Sequence, residues 1–559
     1  MKNLFYILAI VINQLIITPQ FSLAQGGAWT WVGGDTINSL QSPIGHKGLL
    51  GVPSITNWPP DMWGSAYWTG SDGNFYLFGG ERDSVWPYQM QHSDMWRYEP
   101  TSGLWTWMNG PGTINSQGSF GIQGVAASSN HPPSMKVAIT WTTLNTLWLF
   151  GGDGARAGAY PWNLAYDDVW KYDLTTQIWT WVKGMGIGNS LAVYGTLGIP
   201  ANSNTPGARW SAASWVDTIG NLWLYGGQST APQSLEDLWT YNPTTNMWTW
   251  MGGSPTQTMN PVWGTLGVAN STNNPGQRSD AMGWINQQGE FLLFGGFGNS
   301  PAWNDGFNDL WKYDNTSLNW TWINGVNSAG NYGNYPNYCQ VGRPCGRIYP
   351  GAWVDDGSGN AWIFGGQGPW WTAGHRENDL WYYKASTNEF IRMAGDIFDV
   401  ATLTRWPIYG QLGVPSQNNK PRSLVRSAMW LNQGGSSLYL YGGYGYSSNN
   451  NQLWRFDIDT LCYQITALPN ESVLSEIKMA IYPNPLTAST TLAFNLSHTK
   501  NISISILDVV GRTVQTIPTK ILQSGENKIT IDLTELNSGI YFCQIITVGR
   551  NQTVKLIKN

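Results

Sequence analysis

The chain is expected to be all-β, a six-fold array of four short strands followed by a small β-sandwich. Its composition, one recurring strand and a late change of composition predict this. The 559 residues include 35 Trp and 66 Gly, and only 11 % are charged, against about 25 % in an average soluble protein. Such a mixture disfavours helices and suits strands joined by turns. An apolar strand ending in Gly-Gly recurs six times, and after about residue 466 Trp gives way to alternating Ile, Thr and Lys. The formal net charge of −5 speaks against nucleic acid as a partner, because neutralising phosphates needs a basic footprint.

Taken in chain order, residues 1–24 read as a signal peptide. Lys2 supplies the positive start, Leu4 to Ile17 is mostly apolar, and Ser22-Leu23-Ala24 places small residues before a cleavage at Gln25. Asn13 and Gln14 interrupt the apolar stretch, which fits removal better than retention as a membrane span. No other stretch is apolar enough to span, so the mature chain is expected to have no transmembrane segment.

The six recurring strands are Phe75 to Gly80, Leu147 to Gly152, Leu222 to Gly227, Phe291 to Gly296, Ala361 to Gly366 and Leu438 to Gly443. Their glycine pairs are Gly79 and Gly80, Gly151 and Gly152, Gly226 and Gly227, Gly295 and Gly296, Gly365 and Gly366, and Gly442 and Gly443. A loop and a strand centred on Asp-x-Trp follow each one, beginning at Asp94, Asp168, Asp237, Asp309 and Asp379, with Gln452 as the variant. A Trp-Thr-Trp strand comes next at 105–107, 179–181, 248–250 and 320–322. A strand before each Gly-Gly strand carries Trp68, Trp141, Trp215, Trp284, Trp353 or Trp430. Each unit is therefore four strands, a to d, with turn residues between them. The recurrent Asp at the start of strand c is expected to cap a turn.

The di-glycine closing strand b and the spaced aromatics of strands c and d resemble the Kelch repeat over residues 25–465. The resemblance implies a six-bladed Kelch-type β-propeller, one four-stranded sheet per blade. The units are longer than the ordinary Kelch repeat of about 50 residues, and the excess lies between strand d and the next strand a. Trp29-Thr30-Trp31 is a strand d with no a, b or c before it, and the last unit has only a weak fourth strand at 461–465. The N-terminal strand is expected to complete the sixth unit, which removes a pair of sheet edges.

Aromatics locked to repeat positions are expected to pack between strands and between units. In such a meander the b–c and d–a loops emerge on one face, and these are the long ones. Binding usually resides in variable loops on a rigid scaffold. The loop-face candidates are Trp86, Trp162, Trp303, Trp370, Trp371 and His375, with Tyr88, Tyr160, Tyr444 and Tyr446 beside them. A glycan or a protein is the expected ligand class, with a structural scaffold as the alternative.

The five histidines share no repeat position and no ligand-type spacing, so no metal, no cofactor and no catalytic residue are expected. Galactose oxidase and its relatives are secreted Kelch-type enzymes, but their cross-linked tyrosine and histidine pair are not recognisable here. Of the four cysteines, Cys339 and Cys345 lie close together. A local disulfide between them suits an oxidising compartment, while Cys462 and Cys543 are expected to be unpaired. The protein is expected to be a monomer.

Residues 466–478 read as a linker. Beyond it come Tyr482-Pro483-Asn484-Pro485, alternating strands, Asp508-Val509-Val510-Gly511-Arg512, Ser538-Gly539-Ile540-Tyr541 and a final Lys555-Leu556-Ile557-Lys558. The alternation predicts a small, immunoglobulin-like β-sandwich over residues 479–559. This ordered set resembles the type A sorting domain of the type IX secretion system of Bacteroidota. The resemblance implies Sec export, recognition of the tail by the type IX machinery as a partner, and a secreted or surface location.

Overall fold

A computed structural model of the protein describes residues 25–36, 45–82, 90–154, 164–230, 234–254, 260–298, 306–349, 352–355, 357–368, 376–396, 406–445, 450–460, 462, 480–496, 500–508, 512–523, 525–547 and 550–559. The chain divides into two compact units, Met1–Asp459 and Thr460–Asn559. All elements named in both are β-strands.

The first unit holds, among the described residues, six antiparallel sheets of four or five strands, each open at its edges, with one three-stranded and one two-stranded sheet besides. Strand a is Ala66–Thr69, Ile139–Thr143, Ala213–Val216, Met282–Ile285, Ala352–Asp355 or Ala428–Leu431. These six strands touch one another in cyclic order, the last against the first. The last sheet takes its fourth strand from the other end of the chain. Gly27–Gly33 pairs with Leu453–Ile458, Trp29 opposite Phe456 and Trp31 opposite Trp454. The N-terminal strand thus occupies the position expected of it.

The repeated residues explain how neighbouring sheets join. The strand-a tryptophans give their Nε1–H to a carbonyl of the next sheet: Trp68 to Trp148, Trp141 to Trp223, Trp215 to Leu292, Trp284 to Gly359, and Trp430 back to Trp68. The first glycine of each pair holds φ near +65°, and a Cβ on Gly151 would lie 2.2 Å from the Arg209 carbonyl of the next unit. Only glycine combines that backbone with that approach. The second glycine donates its N–H across the same gap, Gly80 to Met135, Gly152 to Arg209, Gly227 to Arg278, Gly366 to Leu424 and Gly443 to Met62. Trp96, Trp170, Trp239, Trp311, Trp381 and Trp454, the tryptophans of strand c, are fully buried.

The strand-c aspartates do more than cap turns. Asp237, Asp309 and Asp379 each form a buried two-pronged pair with an arginine just before strand a, Arg209, Arg278 and Arg347. Each arginine also donates to the first glycine of its own Gly-Gly, Gly226, Gly295 or Gly365. Each aspartate accepts the indole N–H of the Trp two residues on. One guanidinium therefore ties strand b to strand c. A charge this deep is tolerable because both Nη groups of each guanidinium find acceptors.

The expected Cys339–Cys345 disulfide and the free Cys462 are overturned, while Cys543 is unpaired as expected. Cys339 is disulfide-bonded, as is Cys462, whereas Cys345 and Cys543 carry buried free thiols. The reason is direction. Cys339 gives its N–H to the Arg392 carbonyl at the outer edge of its sheet, while Cys345 faces inward beside Arg347.

The second unit has two sheets, one of Ala480–Tyr482, Ser489–Leu496 and Gly525–Asp532, the other of Thr513–Leu522, Lys500–Leu507, Gly539–Thr547 and Arg550–Lys558. Leu486, Leu492, Phe494, Ile504, Ile506, Ile531, Leu533, Cys543 and Leu556 form its core. Its two ends are locked together. Asn484 donates to the Lys555 carbonyl and accepts from the Ile557 N–H, each at 2.8 Å. Lys558 turns inward and gives its ammonium protons to the carbonyls of Leu533, Thr534 and Leu536.

Candidate functional site

The predicted loop-face residues Trp86, Trp162, Trp303, Trp370, Trp371 and His375 lie outside the described residues, as do Tyr88, Tyr160 and Tyr446. Tyr444 is described, and it leads to a cluster that sequence reasoning missed.

Two positions per unit build this cluster. One is the residue after Gly-Gly: Glu81, Asp153, Gln228, Phe297, Gln367 or Tyr444. The other is a short run before strand a, which pairs with it. Trp63 bridges to Glu81, Lys136 to Asp153, and Val425 to Tyr444. The residue that ends this run is Gly64, Val137, Ser211, Asp280, Tyr349 or Arg426, every one at positive φ. Their backbones hand hydrogen bonds around the cycle: Gly64 N–H to Arg426, Val137 to Gly64, Ser211 to Val137 and Asp280 to Ser211. These positions, with their neighbours Trp63 and Lys136, are thereby brought to one end of the cycle of strands, the end where each strand b finishes.

The chemistry gathered there is polar and aromatic. Lys136 Nζ lies 2.6 Å from Glu81 Oε2 and 3.5 Å from Asp153 Oδ2, and 4.4 Å from the centre of the Trp63 ring. The Arg426 guanidinium sits over Tyr349 at 4.4 Å and over Trp63 at 5.5 Å. It also reaches across the ring to Asp280, at 2.9 and 3.2 Å. Arg376 lies over Tyr444 at 4.4 Å. Glu81, Lys136, Asp153, Ser279 and Asp280 are buried, whereas Trp63, Ser211, Tyr349, Arg426 and Tyr444 are half-buried and open to solvent. Burial first, and the Glu81 charge with it, holds the Asp153 carboxyl above its ordinary range, against the pull of Lys136.

Several buried polar atoms here have no hydrogen-bond partner among the described residues: Trp63 Nε1, Asp153 Oδ1, Ser211 Oγ, Ser279 Oγ and Arg426 Nε. The turns at the opposite end, by contrast, consume their own polar groups. Asp217 accepts from Ile219, Asn221 and Trp223, and Asn286 serves Gln288 and Glu290. No group of three or more metal-ligating side chains occurs among the described residues.

A pattern match places the tail. Residues 480–559 match the secretion system C-terminal sorting domain. The sorting domain directs the protein through type IX export to the cell surface or to secretion, and the export machinery is accordingly its partner. No helix among the described residues is long and apolar enough to cross a membrane. No curated protein matches the chain. Among solved structures, one titled "Structure of YjhT" aligns over 73 % of this chain and 95 % of its own, at 13 % identity and a TM-score of 0.40.

Proposed function

We propose that residues 25–465 form a six-bladed Kelch-type propeller that binds a glycan, or the glycan-like surface of a protein, at the end of its axis that carries the b–c loops. The observation that carries this reading is the gathering of unpartnered buried donors and acceptors around Trp63, Asp153 and Arg426. A buried polar atom without a partner costs about 1–3 kcal/mol, and a hydroxyl-rich ligand would recover that cost at several points together. The cyclic contacts of the strand-a set and the Trp430-to-Trp68 bond support the propeller architecture.

The test is a glycan array probed with the full secreted protein, followed by calorimetry on any hit. Saturable binding that falls at least about ten-fold in Trp63→Ala and in Arg426→Gln, each with a Tm near that of the wild type, is the expected result. A silent array, or variants that bind as the wild type does, would sink the proposal and leave a scaffold role.

One observation favours a second reading, in which the same mouth is catalytic. Glu81 and Asp153 share Lys136, and Asp153 is biased towards its protonated form, the arrangement that a general acid beside a carboxylate base requires. Under that reading Asp153→Asn would keep binding and abolish the release of reducing ends from the bound glycan. An unchanged ligand after prolonged incubation with wild type would exclude it.

A further inference from the structure

The residue after each Gly-Gly faces one residue of the run before strand a. The six facing pairs are Trp63 with Glu81, Lys136 with Asp153, Trp210 with Gln228, Ser279 with Phe297, Ile348 with Gln367 and Val425 with Tyr444. Among these, the second unit alone sets an amine opposite a carboxyl. Met135–Lys136 and Asp153–Gly154 are antiparallel strands of two residues each, so the facing side chains leave the same side of the sheet. Lys136 Nζ stands 3.5 Å from Asp153 Oδ2 and 2.6 Å from Glu81 Oε2. Gln91 donates to the same Glu81 oxygen at 3.1 Å, which fixes that carboxylate where the amine can hand it a proton. The Trp63 ring covers the Lys136 ammonium at 4.4 Å. Lys136 and Asp153 are each 6 % exposed and Glu81 3 %, and Asp153 Oδ1 has no hydrogen-bond partner among the described residues.

A buried amine, a buried carboxyl facing it and a second carboxylate in contact with the amine are the parts that amide formation needs. We propose that Lys136 and Asp153 of the folded chain join through their side chains in an isopeptide bond, Nζ to Cγ, with Glu81 relaying the protons. Burial holds the Asp153 carboxyl above its ordinary range, which favours the protonated form that an amine can attack. Glu81 first takes a proton from the Lys136 ammonium. The neutral Nζ then attacks Cγ of the protonated Asp153 carboxyl, and the Nζ–Cγ bond forms. Glu81 gives its proton to the hydroxyl that leaves and takes a second one from the nitrogen. The Cγ–Oδ bond breaks, one water departs, and Glu81 ends protonated. Nothing is oxidised or reduced, and no co-reactant is consumed. Held contact stands in for concentration, on the order of 10⁵–10⁸ M in well-oriented intramolecular reactions, and burial keeps bulk water from the product. The amide replaces a charge pair that burial penalises and staples two strands of only two residues each. It leaves a carbonyl oxygen at residue 153 for the hydroxyl-rich ligand proposed above, and it removes the acid that the catalytic reading requires.

The test is mass spectrometry of tryptic peptides from the secreted, full-length protein, denatured after purification in its folded state. Between Arg97 and Arg156 the sequence offers trypsin one site, Lys136, and an acylated lysine is not cut. The expected product is a single peptide from Tyr98 to Arg156, one water lighter than its sequence, whose fragmentation places the loss between Lys136 and Asp153. Separate peptides 98–136 and 137–156 from the folded wild type overturn the proposal. A variant tests the relay. Glu81→Gln keeps the size of the side chain but cannot take the ammonium proton, so this variant, once its circular dichroism matches that of the wild type, is expected to release the two separate peptides. A folded Glu81→Gln protein that yields the joined peptide as fully as the wild type would overturn the role given to Glu81.

Discussion

At the scale of single residues, the six units differ most where an arginine is present or missing. Arg209, Arg278 and Arg347 neutralise Asp237, Asp309 and Asp379, but Met62, Met135 and Leu424 stand at the same position in the other three units. Each of those solves the loss differently. In the first, Lys47 reaches Asp94 at 2.7 Å. In the last, the acid is replaced by Gln452, whose Oε1 accepts from Trp454. The second unit keeps the acid with no cation. Phe120 packs on Trp170 and Trp181, where Tyr194 packs on Trp239 and Trp250 and also donates to Asp237. Among the described residues Asp168 therefore lacks both a guanidinium and a phenol, and its Oδ2 has no partner. Burial, with the neighbouring Asp167 charge, pushes it up to about 7, against the N–H groups of Gly186 and Trp181.

An acid whose folded pKa is raised contributes stability that is complete below its unfolded value, 3.8, and is lost as pH rises through about 7. The Tm of the wild type is expected to decline from about pH 4 to about pH 7 and to level off above that, and Asp168→Asn should flatten the decline, a contrast that thermal melts across the range would reveal. Asp237→Asn should behave oppositely. It strands Arg209 without its counter-charge, and a loss of about 3–5 kcal/mol at every pH is expected, measurable by urea unfolding.

At the scale of elements, the segment before each strand a explains a motif that the repeat does not need for its four strands. Gly-x-x-Gly followed six residues later by Asn recurs at 48–57, 121–130, 195–204, 264–273 and 410–419. It folds back along strand d as a partial fifth strand. Gly51, Gly124, Gly198, Gly267 and Gly413 donate to strand-d Trp carbonyls. The Asn amide bonds two carbonyls at once, in one case those of Ile199 and Trp248. A Cβ on Gly195 would meet the Asn204 amide oxygen at 2.4 Å, which accounts for the first glycine. Covering the outer strand in this way protects an exposed sheet edge. Asn204→Ala should cost about 1–3 kcal/mol, while the neighbouring exposed Asn202→Ala should leave the urea midpoint almost unchanged. The pattern was visible in the sequence as a recurring signature of the d–a loops, but its partner strand was not, because pairing depends on a contact across some forty residues.

At the scale of the whole molecule, period and composition made the strands, the glycine pairs and the tail domain legible before any coordinates. The polar mouth was not legible for a physical reason. It takes one or two side chains from each unit, at columns where the units disagree, so Trp63, Lys136, Asp280 and Arg426 read as noise in a repeat. The cysteine error has a similar cause, since closeness along the chain says nothing about which way two side chains point. In the oxidised secreted protein, Cys345 and Cys543 should react with a thiol reagent only after unfolding, whereas Cys339 and Cys462 should remain protected until a reductant is added. Peptide mapping of the labelled sites checks this, and labelling of Cys339 without reduction would contradict it.

The pairing of Gly27–Gly33 with Leu453–Ile458 also has a consequence in time. The first of the strands to be synthesised is matched only to a partner near the end of the last sheet, and at roughly 5–20 residues per second the wait is tens of seconds. Trp29, fully buried at the end, spends that interval with its apolar surface uncovered. The cycle of sheets cannot finish until nearly all of the first unit has emerged. A chain with this connectivity keeps its last sheet one strand short until Leu453–Ile458 and Gly27–Gly33 meet.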